Sequence, residues 1–197
     1  MPPQNHVVGP VVRLDGVRVK ALAHPLRNRL VSALRRSGPA TATSLARALG
    51  TNSGATSYHL RRLAELGLVG DTGEGHGRER LWAAARDYTQ WDPADLGGDE
   101  DAETALNWLE RDYLRHMDQR FEKWLDDAAS WPMAWRSALG MKDDVCVLTA
   151  DQTAEMDAEL RAVVERWRRV GQGNPDARRI AVYRVTYPID LDRPPRT

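Results

Sequence analysis

The sequence has little of what builds covalent or metal-bound frameworks. It holds one cysteine, Cys146, so an intrachain disulfide framework and a cysteine-cluster metal site are both excluded. No apolar run approaches the roughly 18 residues that a membrane-spanning helix needs. The first residues lack the basic and apolar regions of a signal peptide, so we expect a cytoplasmic protein.

The formal net charge is zero, but the charges are divided between the two halves of the chain. Residues 1–86 carry 13 Lys and Arg against 5 Asp and Glu, whereas residues 87–197 carry 15 against 23. Opposite halves of this kind indicate two domains with different partners, and a basic half is typical of a protein that binds a polyanion. Charge alone leaves open two mixed-charge surfaces with no such partner.

Three short helices are predicted in the basic half. Pro25 stands at the first position of a helix that Gly38 ends. Thr41 can cap a second helix, and Gly50 stands where a glycine commonly ends one. A third helix continues to about Leu66.

The third helix has two different faces when its residues are placed 100° apart. Thr56, Leu60 and Leu63 fall on one side and can dock on the two preceding helices. The opposite side presents polar or open positions, namely Gly54, Tyr58, Arg61 and Arg62. The glycine-rich stretch 70–78 follows, flanked by short apolar runs, and this pattern predicts a β-hairpin.

Three helices followed by a hairpin are the order of a winged helix-turn-helix domain, in which the third helix enters the DNA major groove. The segments 21–27 (ALAHPLR), 54–69 (GATSYHLRRLAELGLV) and 77–82 (GRERLW) resemble ArsR-type winged-helix transcriptional regulators. The resemblance covers about residues 12–86. It implies a dimeric, cytoplasmic, repressor-like DNA-binding protein whose recognition helix is residues 53–62 and whose wing is residues 70–81. Metal-sensing members use a Cys-x-Cys pair, which is missing here, or clusters of Asp, His and Glu on the last helix of the domain.

Residues of three regions are candidates for contact with DNA: the start of the second helix, the third helix and the wing. Hydroxyls there can donate to phosphates, and tyrosine and arginine can contact phosphates or base edges. His76 is a further wing candidate. The predicted DNA-binding residues are Thr41, Thr43, Ser53, Gly54, Ser57, Tyr58, Arg61, Arg62, Arg78 and Arg80.

The predicted fold class is mainly α with small β, a winged helix-turn-helix followed by a helical domain that carries a short β element. One long helix is expected over residues 102–128, a capping box at Thr149 and Gln152 starts another, and residues 144–148 and 179–189 are strand candidates. The predicted parts are a flexible arm (1–11), the winged domain (12–86), a linker (87–101), the helical domain (102–190) and a loose tail (191–197).

The long helix has two interpretations, a core helix with a dimer seam or an aromatic-lined pocket for a small apolar effector. The candidate residues for either are Leu109, Tyr113, Met117, Phe121 and Trp124, and Trp131, Trp135 and Trp167 are added for the pocket. Asp112 and His116 have a tolerable spacing for metal ligands, but a lone histidine there is more often a surface residue. Cys146, between two valines, is expected to be a buried, inert thiol.

No catalytic constellation or phosphate-binding glycine motif is visible, so we expect no enzyme, no cofactor and no metal. The sequence therefore predicts a dimeric, sequence-specific DNA-binding regulator, a repressor that a small-molecule effector controls. The alternative is a winged-helix module that binds a protein instead of DNA.

Overall fold

The computed structural model describes residues 12–75, Gly77, 79–85 and 89–192. The described residues fall into two compact units, residues 12–119 and residues 120–192. Among them, no helix is long and apolar enough to cross a membrane. The predicted arm (1–11), His76, Arg78 and residues 193–197 of the predicted tail lie outside the described residues.

The first unit is built from short helices and small sheets. Its elements are β1 (Val12–Leu14), α1 (Gly16–Leu22), α2 (Pro25–Ser37), β2 (Ala40–Thr41), α3 (Ala42–Leu49), α4 (Ser53–Glu65), β3 (Val69–Asp71), β4 (Leu81–Ala84), β5 (Thr89–Trp91), a 3-10 turn (Pro93–Leu96) and α5 (Glu100–Asp127), of which residues 100–119 belong here. The prediction of mainly α structure with small β is confirmed.

Local signals in the sequence set the ends of α2 and α3. Pro25 opens α2, and the ring Nδ1 of His24 accepts a hydrogen bond from the backbone N–H of Leu26 at 3.2 Å. The Thr41 hydroxyl accepts from the backbone N–H of Ser44 at 3.2 Å and so caps α3. Gly50 ends α3 with φ of 64°, a left-handed conformation that favours glycine.

The wing is an antiparallel hairpin of β3 and β4, in which Gly70 lies opposite Ala83. The sequence predicts this hairpin but not its third strand, β2, which pairs with the other edge of β4. A separate parallel pair joins β1 to β5. β5 and the buried Leu96 both belong to the predicted linker (87–101), so this part of the chain contributes to the first unit.

The hydrophobic core lies between α1, α2, α3, α4, the small sheet and the first part of α5. Its side chains are apolar, and the largest that are fully buried are Leu14, Leu22, Leu30, Leu60, Leu63, Leu68 and Leu109. One buried polar contact ties α2 to α5, because Asn28 Nδ2 donates to Asp112 Oδ2 at 2.6 Å. Asp99 caps α5 and receives a bond from Lys20 Nζ at 2.7 Å, which lowers the pKa of the carboxyl.

The second unit has no comparable core. It contains the end of α5, a 3-10 turn (Ala128–Ser130), α6 (Met133–Ala138) and α7 (Ala150–Trp167). The predicted capping box is confirmed, since Gln152 N–H donates to the Thr149 hydroxyl and the Gln152 side chain accepts from Thr149 N–H. Between residues 120 and 192 no described residue is buried.

Two strands predicted in the second half do not form. Residues 144–148 and 179–189 have no strand partner in the described structure, and their apolar side chains are exposed, Val147 to 97%. The later segment is held by side-chain bonds instead, such as Arg184 to Asp157 at 2.9 Å and Arg120 to Tyr183 at 3.0 Å. Cys146 is accordingly exposed, which corrects the expectation of a buried thiol.

Candidate nucleic-acid interface

Helix α4 has one buried face and one exposed face, as the sequence predicts. Thr56, Leu60 and Leu63 are fully buried against the first unit's core. The Thr56 hydroxyl is satisfied there because it donates to the backbone oxygen of Asn52 at 2.9 Å. On the other side Tyr58 is 62% exposed. The helix is therefore anchored on one side and open to a partner on the other.

The exposed face of α4 is basic. Arg61 and Arg62 are exposed next to each other. Arg62 Nη1 lies 2.7 Å from Glu65 Oε2, whereas Arg61 has no hydrogen-bond or ion-pair partner among the described residues. Arg61 can therefore bind an incoming anion without breaking a contact inside the protein.

The first turn of α4 offers small polar groups. The Asn52 side chain caps the helix by accepting from the Ala55 N–H at 2.7 Å. Ser53 and Gly54 are exposed, and Ser57 is half-buried. Small residues at this end let the backbone approach a phosphate closely.

The start of α3 differs between its two predicted threonines. The Thr41 hydroxyl is used inside the protein as the helix cap and is half-buried. Thr43 is exposed. Of the two hydroxyls, that of Thr43 is the more accessible to a phosphate.

The wing presents Arg80. Its Nε lies 3.5 Å from Asp71 Oδ2 across the hairpin, and its guanidinium stands 5.9 Å from the centre of the Trp82 ring. Near the tip the backbone comes so close that a Cβ on Gly75 would lie 2.0 Å from the carbonyl oxygen of Glu79. The loop therefore needs glycine at this position.

Residues 22–70 match a family described as a helix-turn-helix domain. The match runs from the end of α1 to β3 and so includes α2, α3 and α4. A helix-turn-helix domain points to a DNA-binding regulator. The crystal structure of Rv1404 from Mycobacterium tuberculosis is similar at 17% identity over 82% of this chain and 87% of that one, with a TM-score of 0.31. No match was found among curated proteins.

The residues predicted to form a dimer seam or a pocket belong to different units of the structure. Leu109 is fully buried in the core that the helix-turn-helix helices share, so its side chain is not exposed for a seam or a pocket. Tyr113 packs partly against this core, its ring 5.6 Å from that of Trp91, and Met117 is half-buried in the same unit. Phe121 and Trp124 belong to the second unit and are half-buried.

The second unit does bring three of the tryptophans together. The Trp124 and Trp131 rings meet edge to face at 5.4 Å, and Trp131 and Trp135 meet at 5.8 Å in the same way. Trp167, which the sequence places with them, is 64% exposed. The aromatic cluster of this unit is therefore Trp124, Trp131 and Trp135.

Asp112 and His116 are committed to contacts inside the protein. The Asp112 carboxylate accepts from Asn28 and from Arg115 Nη2 at 2.8 Å. His116 Nδ1 lies 2.8 Å from the Asp112 backbone oxygen. Among the residues that the structure describes, no group of three or more side chains could hold a metal ion.

Sequence reasoning missed a cationic cluster beside α4. The ring centres of His24 and His59 lie 4.4 Å apart with the planes tilted by 44°, and the ring of Tyr58 meets His59 at 5.2 Å. Burial, with Arg62 nearby, lowers the pKa of Arg27, and burial together with His24 and Arg27 lowers the pKa of His59. The signal was in the sequence, since His24 and Arg27 stand in the ALAHPLR segment, but their proximity to α4 is set only by tertiary packing.

Proposed function

We propose that this protein is an ArsR-type, dimeric, sequence-specific DNA-binding regulator that represses the genes it binds. The observation that carries the proposal is the two-sided α4 within a helix-turn-helix domain, with Leu60 and Leu63 fully buried and Tyr58, Arg61 and Arg62 held out to solvent. Such a helix fits the major groove, and a regulator bound at a promoter represses by occupying it.

In the proposed complex, the basic face of α4 neutralises phosphates and selects sequence. Arg61 and Tyr58 face the groove, Ser53, Gly54 and Ser57 lie at the end of the helix that approaches the backbone, and Thr43 contacts a flanking phosphate. Arg80 of the wing, with Arg78 in the same loop, follows the DNA backbone. Affinity then depends steeply on salt, because each phosphate contact releases counterions.

Dimerisation is supported by the second unit. In a single chain, many apolar side chains of this unit are exposed to water. They include Met133, Val145, Val147, Trp167, Val182 and Ile189. A segment that buries no residue gains little hydrophobic stabilisation, so a second copy that covers this surface would stabilise it. Two-fold pairing also lets two recognition helices read two half-sites about 34–36 Å apart.

A small apolar effector is the proposed control. The cluster of Trp124, Trp131 and Trp135 supports this part of the proposal, because aromatic side chains commonly line sites for apolar ligands. An effector bound there would act by favouring one geometry of the dimer, and so one spacing of the recognition helices.

The test is a double substitution, Arg61→Ala with Arg62→Ala. We expect binding to a duplex from upstream of the gene to fall by about 100-fold or more, because two charged contacts of roughly 1.5–3 kcal/mol each are lost. Affinity is measured by fluorescence anisotropy over a salt series. The control is Arg13→Gln, which removes one positive charge at a place where Asp92 and Asp95 already neutralise it.

Light scattering accompanies the binding assay. Wild type and double variant should both give about twice the chain mass of 22.1 kDa at micromolar concentration. A monomeric wild type contradicts the dimer. A double variant that binds DNA like the wild type contradicts the role of α4. A wild type that binds no DNA favours a winged-helix module that binds protein.

A further inference from the structure

The cationic cluster of His24, Arg27 and His59 holds polar groups without partners in the free protein. The Nε of Arg27 and the Nδ1 of His59 are both buried, and neither has a hydrogen-bond partner within the part of the chain that the structure describes. Buried polar groups are normally paired, so two orphans in one cluster need an explanation.

The guanidiniums of Arg27 and of Arg62 on α4 lie close enough for Arg62 to lower the pKa of Arg27. The His59 ring is faced by Arg27 and by the rings of His24, which caps α2, and of Tyr58 on α4. The nearest carboxylate on α4, that of Glu65, already pairs with Arg62. What the cluster lacks is an anion, because only an acceptor with negative charge would satisfy a guanidinium N–H and balance these charges.

We infer that Arg27 and His59 bind a backbone phosphate of duplex DNA immediately beside α4, with His24 holding the His59 ring in place. The inference rests on the proposed function, since the phosphate belongs to the duplex that α4 contacts. Arg27 donates to a phosphate oxygen, and His59 donates a ring N–H, which makes a stronger, charge-assisted hydrogen bond when the ring is protonated. The His24 ring is fixed in place, because its Nδ1 accepts a hydrogen bond from the Leu26 N–H. It can therefore hold the His59 ring that it contacts.

A phosphate contact of this kind links DNA binding to proton uptake. In the free protein, burial together with His24 and Arg27 lowers the pKa of His59 and so disfavours its protonated ring. A bound phosphate diester supplies the opposite charge and raises that pKa. Binding therefore takes up a proton at His59, and affinity for DNA rises as pH falls through the pKa of the complex.

The first variant is Arg27→Gln in the full-length protein. Its affinity for a 30-base-pair upstream duplex and for an unrelated duplex of equal length should fall by the same factor, about tenfold, because a phosphate contact carries no sequence information. The slope of log affinity against log salt should become shallower by about 1. The thermal midpoint should stay unchanged or rise, since the variant relieves a buried, unpartnered Nε.

The second variant is His59→Phe, which keeps a ring against His24 and removes the titrating nitrogens. Wild-type affinity should increase by up to about tenfold per pH unit as pH falls from 8 to 5.5, since one proton is taken up per site. The variant should lose most of this dependence, and Arg13→Gln should keep it together with the wild-type salt slope.

The outcomes separate this inference from the function it rests on. A wild type that binds neither duplex overturns both. If the wild type binds and the Arg61, Arg62 double variant does not, while Arg27→Gln keeps the full salt slope, the phosphate site alone is overturned. A variant Arg27→Gln that lowers the thermal midpoint with an unchanged slope assigns the arginine a structural role and likewise overturns the site.

Discussion

The two units differ in how far they bury their apolar side chains. In the first unit, leucines and valines of α1, α2, α4 and α5 close over one another, and the core reaches full burial. In the second unit, α7 begins with a complete capping box, yet its Leu160, Val163 and Trp167 are exposed to water. Local helix signals are therefore present in both units, but among the residues that the structure describes only those of the first unit form a buried core.

The arginines of the two units differ as well. On α4, Arg61 has no partner among the described residues and is open to an external anion. In the second unit, Arg161 and Arg184 both bond to Asp157. In the second unit these cations are paired within the protein, and apolar surface is left exposed for a partner. In the first unit the apolar side chains are buried, and Arg61 is left exposed for a partner.

The largest effect that tests this contrast comes from two matched leucines. Leu60→Ala empties a fully buried position and should lower the free energy of unfolding of the first unit by about 2–5 kcal/mol. Leu160→Ala removes the same atoms from a side chain that is 43% exposed and should cost no more than about 0.5 kcal/mol in dilute protein. Urea unfolding followed by circular dichroism measures both.

Protein concentration sharpens the leucine comparison. If a second copy covers α7, the cost of Leu160→Ala should grow when the concentration is raised a hundredfold, because the dimer then buries that side chain. The cost of Leu60→Ala should stay constant. Equal costs for the two variants in dilute protein would show that the second unit has a core of its own.

Much of the first unit is predictable because its signals are local. Pro25, Thr41 and Gly50 mark helix ends by their own chemistry, and the spacing of Leu60 and Leu63 separates the buried face of α4 from its basic face. The positions of Leu60 and Leu63 also predict the candidate interface, because the face of α4 opposite a buried face is exposed.

The remainder depends on non-local pairing. A short apolar run becomes a strand only beside another strand, so β2 and β5 form and residues 144–148 do not, although the last have the stronger strand composition. Periodicity places Leu109 on the apolar face of α5 but does not say that the core of the same unit covers it. The approach of Arg27 to α4 is equally invisible in the sequence.

An intermediate effect comes from removing one cap in each unit. Asn52→Ala deletes the acceptor for Ala55 N–H and should lower the stability of the first unit by about 1 kcal/mol. Thr149→Ala removes the corresponding bond of α7 and should speed amide exchange in its first turn without moving the unfolding midpoint of the first unit. Asn52→Asp and Thr149→Ser keep the acceptors and serve as controls. Equal shifts of the first unit's midpoint would show that both units unfold together.

The smallest effect uses two similar ion pairs, Arg62 with Glu65 and Arg168 with Glu165, each at 2.7 Å and three residues apart. Glu65→Gln and Glu165→Gln should each change stability by only about 0.3–0.5 kcal/mol, as helix-surface pairs do. Their effects on DNA should differ, because Glu65→Gln frees Arg62 and removes a negative charge from the helix that faces phosphates. We expect a gain of a few-fold in affinity at low salt for Glu65→Gln, fading as salt is raised, and no change for Glu165→Gln. A similar gain in DNA affinity from both variants would mean that the net charge of the protein governs binding and that α4 is not the helix that contacts DNA.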